Sequence, residues 1–103
     1  MSNLKAKNEL PTWLKLTDES ACITLSCPSE VNGVKVDTLT MRSPKVKDVR
    51  AAETVSKVDS DQRELTLFSS LLEAGQKDVE ELTVKDYNRL QAAYFRLVND
   101  DGV

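Results

Sequence analysis

Histidine is absent from the chain. That removes the commonest general base and the commonest metal ligand together. The serines therefore have no imidazole to activate them as nucleophiles. Without histidine, Cys22 and Cys27 cannot complete a zinc site from one chain. On a single strand their odd spacing points them to opposite faces, so free thiols in a reducing compartment are expected rather than a bridge. The glycines are Gly33, Gly75 and Gly102 alone, which leaves no phosphate-cradling loop. Carboxylate pairs stand at Asp59/Asp61 and Glu80/Glu81, where a helix cap and a polar turn account for them. These residues imply a protein that is not an enzyme, with no catalytic residues, cofactor or metal.

Binding chemistry remains. Arg42, Lys45, Lys47 and Arg50 form a basic group, with Asp48 among them. The net charge of −3 argues against a nucleic-acid footprint. Positive charge at a helix start also opposes the helix macrodipole. Charge contacts from Arg42 and Arg50 to protein carboxylates are expected instead, within the chain or on another one. Glu80, Glu81 and Asp86 are the internal candidates. Trp13, the only tryptophan, either caps an edge of the core or is exposed as a partner anchor.

The elements that must position these residues follow from periodicity. The chain has 103 residues, 40% apolar and 30% charged, in the range of a soluble globular protein. No apolar run approaches the roughly 18 residues of a membrane span. Residues 1–12 are expected to be a flexible arm without signal-peptide character, 13–98 a single domain, and 99–103 a flexible end. Trp13 to Thr17 alternates weakly and could be a short strand, followed by a turn at Asp18-Glu19-Ser20. Ile23, Leu25 and Cys27 share one face of a half-buried strand. Asn32-Gly33 is a strong type I′ hairpin signal, and the return strand carries Val34, Val36, Leu39 and Met41. Its parity changes between Val36 and Leu39. One extra residue near Pro28–Val31 or Asp37-Thr38 would place Leu25 opposite Leu39 and Ile23 opposite Met41, so a β-bulge is predicted.

Ser43-Pro44 predicts a helix from Pro44 to about Ser56, with serine as cap. Val46, Val49 and Val55 lie on its drifting apolar stripe. A second helix begins at Asp59-Ser60-Asp61, buries Leu65, Leu67, Phe68, Leu71 and Leu72, and ends at Gly75. Residues 76–82 could hold one short helical turn. Thr83 caps a third helix with Asp86 at its third position. Tyr87, Leu90, Ala93, Tyr94, Leu97 and Val98 form its apolar face, with Lys85, Arg89 and Arg96 opposite. The fold class is α+β: an N-terminal antiparallel hairpin, with the option of a third short strand, then three helices packed on one face.

Residues Ile23 to about Val98 resemble the phage tail assembly protein E/41 family of small tail assembly chaperones. The stretches that carry this are ITLSCPSEVNGVKVDTLTMRSPKVKDVRAAE and VEELTVKDYNRLQAAYFRLV. The resemblance implies a non-enzymatic role in building contractile phage tails, binding the long helical tape measure protein until tube subunits polymerise around it. It further implies a host-cytoplasmic protein absent from the finished virion, with a frameshifted longer form as a second partner. A homo-oligomer is compatible with a surplus apolar helix face. Neither nucleic acid nor membrane is expected as a partner. The rival readings are a small structural tail connector and a nucleic-acid-binding regulator. For the binding role, Trp13, Leu14, Arg42, Val46, Val49, Arg50 and Val55 are the candidate residues.

Overall fold

Three strands lead. β1 (Leu14–Leu16), β2 (Ser20–Val31) and β3 (Val34–Arg42) form an antiparallel sheet in the order β1-β2-β3, in a computed structural model that describes residues 10–55 and 59–99. Leu14 pairs with Ile23, and Ile23 with Leu39, so one face collects Leu14, Ala21, Ile23, Leu39 and Met41, all buried. Cys22 is half-buried and Cys27 exposed, and both are free thiols.

The hairpin closes on Asn32 and Gly33 with φ of 54° and 80°, the two positive values that a type I′ turn requires. The expected bulge is present, but its size and register differ. Near the turn Ser29 pairs with Val36 and Val31 with Val34; beyond the break Ile23 faces Leu39 and Ala21 faces Met41. The pair sums change from 65 to 62, so β2 carries three extra residues rather than one. An odd number preserves the parity argument, since it turns the same side chains inward. Its size follows from a partner that the hairpin pattern does not contain, described below.

Among the described residues four helices follow: α1 (Val46–Val55), α2 (Ser60–Leu72), α3 (Gln76–Glu80) and α4 (Val84–Val98). Phe68 of α2 is fully buried, with the rings of Tyr87 and Tyr94 from α4 at 5.6 and 5.4 Å. Leu71, Leu90 and Ala93 join Ile23 and Met41 in the same core. α2 packs on β3 and α4 on β2, so the helices cover one face of the sheet as expected, while α1 docks chiefly on α2.

Local signals set the helix ends with two corrections. α1 starts at Val46 rather than Pro44. The Ser43 amide instead donates to the carbonyl of Glu19 at 2.7 Å, extending the sheet. α2 is capped by Asp59, whose carboxylate accepts from the amides of Asp61 and Gln62, as its sequence implies. It ends at Glu73 rather than Gly75. Glu73 adopts a left-handed conformation (φ 55°), and the next amide, of Ala74, returns to the carbonyl of Ser69 at 3.0 Å. Gly75 caps α3 instead. Val98 is exposed rather than part of the inward face of α4. Leu10, placed in the flexible arm, packs against the core. Residues 1–9, the expected helix end at Ser56 and residues 100–103 lie outside the described residues.

Candidate functional site

The joint between β3 and α1 is built around one carboxylate. Lys45 precedes α1 and has no side-chain oxygen to cap it, so Asp48 in the first turn reaches back. It accepts from the Lys45 amide at 2.8 Å. Asp48 also takes a two-pronged pair from Arg42 at 2.8 and 3.0 Å. Hydrogen bonding to Arg42 is the largest cause that holds the Asp48 carboxyl well below the usual carboxylate range, with the Lys45 amide next. The same hydrogen bond to Asp48 raises the Arg42 guanidinium.

Arg42 makes the expected contact with a protein carboxylate, and of the two places left open it is within the chain; the partner is Asp48 and not Glu80, Glu81 or Asp86. Arg50 is exposed and takes part in no ion pair among the described residues. Lys45 and Lys47 are exposed too, and Asp18, Glu19 and Arg42 share their cleft. Val46 and Val55 are exposed on α1, while Val49 is half-buried against the core. Leu14 is buried inside the core, where it faces no partner. Trp13 is half-buried against the core and lies at the β1 edge, across the sheet from Arg42 at the β3 edge. The seven candidate residues thus fall at two separate places, with only Arg42, Val46, Val49, Arg50 and Val55 sharing the β3–α1 side.

The start of α4 holds a contact that the sequence pattern does not reveal. Thr83 caps the helix, its hydroxyl accepting from the Asp86 amide at 3.2 Å. The Asp86 carboxylate, only 1% exposed, is aimed elsewhere. It accepts from the amides of Ser26 at 2.7 Å and Cys27 at 3.4 Å, both in the bulge of β2. The three extra residues leave backbone donors without a strand partner, and Asp86 supplies the acceptor. Burial pushes the Asp86 carboxyl upward. The hydrogen bonds from Ser26, Cys27 and Thr83 outweigh it, so the group sits below its ordinary value.

Arg89, one turn on, donates to the Thr24 carbonyl at 2.6 Å and lies 4.0 Å from Asp86. Its guanidinium carbon stands 5.1 Å from the centre of the Trp13 ring. Arg89 is therefore not on a solvated face, and Trp13 is held as an edge of the fold. Distance in sequence hid both contacts; the one local hint was a carboxylate placed after a threonine cap that already served the helix.

Among the described residues no group of three potential ligands could hold a metal ion, and no helix is long and apolar enough to cross a membrane. The described surface instead offers exposed apolar side chains on α1 and α4: Val46, Val55, Val84, Phe95 and Val98. Such residues on an otherwise polar helix surface suit protein contact. The sequence model of the family of phage tail assembly chaperone proteins, E, or 41 or 14, matches residues 22–99, more than half of the chain. That span runs from the strand before the bulge to the end of α4. No curated protein and no solved structure matches.

Proposed function

The chain belongs to the phage tail assembly chaperone family, and from that premise we propose that it binds the tape measure protein and keeps it soluble until the tail tube forms around it. The family match over residues 22–99 carries this reading. The surface agrees with it: exposed valines on α1, and valines with a phenylalanine on α4, give apolar contacts between polar neighbours. No step in this role needs a nucleophile, a base or a metal, so the activity is binding without catalysis.

The β3–α1 side takes part through Arg42, Val46, Val49, Arg50 and Val55, with the Arg42–Asp48 pair setting the angle at which α1 leaves the sheet. Trp13 contributes through its edge position, while Leu14, buried in the core, only holds β1 in place. The protein acts in the host cytoplasm, is left out of the finished virion, and shares its client with a frameshifted longer form of itself. Quantitative mass spectrometry of an infection tests this. The chain is expected with the tape measure protein in lysates taken before tails are complete, and absent from purified virions. Stoichiometric recovery from virions would overturn the reading in favour of a structural connector. Salt-sensitive DNA binding would favour a nucleic-acid regulator.

A further inference from the structure

α4 carries a second, outward face that the core does not use. Val84, Asn88, Gln91, Phe95 and Val98 follow one another at steps of four, three, four and three residues. That alternation is heptad spacing, with apolar residues at three of the five positions and the amides of Asn88 and Gln91 between them. Val84, Phe95 and Val98 are 76%, 58% and 47% exposed, so the seam is open. From Val84 to Val98 it runs about 21 Å at ~1.5 Å per residue.

At its first turn the seam runs into a groove of about 320 Å³ between α2, α3 and α4, floored by Leu65, Val79, Leu82 and Tyr87. Asp61, Glu64 and Glu80 complete the lining, which contains no lysine or arginine. None of these three carboxylates is in an ion pair among the described residues. Glu64 Oε1 accepts from the Tyr87 hydroxyl at 2.7 Å and from Gln91 Nε2 at 2.9 Å, while Oε2 takes no hydrogen bond among the described residues. Burial first, then Glu64 and Asp61, raise the Tyr87 phenol above its ordinary value, in keeping with a negative field.

We propose that the α4 seam and its acidic groove form a docking site for an amphipathic helix of the client, with apolar residues at heptad spacing and lysine or arginine beside them. The spacing selects a helix. The unmatched carboxylates select basic flanks, because an acidic helix here would bring like charges together in a partly desolvated groove. The proposal rests on the client-binding reading and adds the surface and the chemistry of the segment.

The test uses the full chain and two fluorescein-labelled helical peptides of about 15 residues, matched to that seam length. Both carry leucine at the heptad seam, one with lysine flanks and its twin with glutamate flanks. Fluorescence anisotropy is expected to show the lysine peptide binding at least about tenfold more tightly, a difference that shrinks with salt. Phe95→Asp, and separately the pair Asp61→Asn with Glu80→Lys, are each expected to weaken it about tenfold while far-UV circular dichroism is unchanged. Equal binding of both peptides, or no effect of either variant, overturns the proposal. So does a chain that is dimeric by sedimentation, monomeric as Phe95→Asp, and without affinity for the lysine peptide; the seam is then an interface between copies. If the variants still solubilise the tape measure protein as well as the parent chain does, the docking site is wrong and the chaperone reading stands. If the parent chain also fails to solubilise it, the chaperone reading is wrong.

Discussion

Val46-Lys47-Asp48 and Val84-Lys85-Asp86 are the same tripeptide in the same place, the first turn of a helix. Their aspartates have opposite reach. Asp48 closes on the amide of Lys45 and on Arg42, both within six residues. Asp86 leaves its own helix start to Thr83 and takes the amides of Ser26 and Cys27, as much as 60 residues away. One difference at the cap position contributes: threonine brings an oxygen that serves the helix and lysine does not. The other difference is what lies opposite. α4 rests on the bulge of β2, whose amides have left the ladder, while α1 follows directly from a strand whose end offers a guanidinium. Identical local sequence thus becomes a local clasp in one place and a long-range anchor in the other.

The largest test of that contrast is to remove each carboxylate. Asp86→Ala strands two amides in part-buried positions and leaves Arg89 without its nearby charge, so a loss of about 2–4 kcal/mol is expected. Asp48→Ala removes a cap contact and a half-exposed pair, and about 1 kcal/mol is expected. Urea denaturation measures both, and equal losses would erase the distinction. Next come the arginines. Arg89→Ala should cost about 1–2 kcal/mol, because a charged donor to the Thr24 carbonyl and a contact with Trp13 disappear. It should also shift Trp13 fluorescence. Arg42→Gln should stay within about 1 kcal/mol and leave the tryptophan signal alone.

Acid acts on both carboxylates. Both folded carboxyls lie below their ordinary values, so the stability each contributes is present above the unfolded value near pH 4 and is lost as pH falls through the folded one. Unfolding free energy should therefore decline on acidification below about pH 4, and less steeply in Asp86→Asn and in Asp48→Asn. Unchanged slopes would show that other groups govern acid stability. The smallest effect is a gain. Lys45→Ser gives α1 the kind of cap that Thr83 gives α4 and removes a cation from a helix start, so thermal unfolding should reveal a gain of about 0.5 kcal/mol. A loss would mean that the Asp48 clasp already meets the need.

What was legible in the sequence follows the same division. Asn32-Gly33 and the Asp59 and Thr83 caps rest on contacts within a few residues, and the buried face of α2 on local periodicity; each is present, with Leu65 half-buried rather than buried. The parity change in β3 correctly demanded a bulge, because side-chain alternation is local. Its length did not follow, because the acceptor that stabilises it comes from α4. Arg89 looked solvated by helical position alone, although its long side chain reaches the Thr24 carbonyl. Of the candidate surface, the exposure of Val46 and Val55 could be read from a stripe that drifts off the core. The open seam of α4 was obscured because Val98 fits an inward pattern as well as an outward one.

The most direct measurement is co-expression of the chain with the tape measure protein encoded by the same phage, reading the soluble fraction of that protein with and without the chain. A soluble complex containing both proteins is expected when they are made together, and aggregated tape measure protein when it is made alone. Equal solubility in both cases, with no complex recovered, would contradict it.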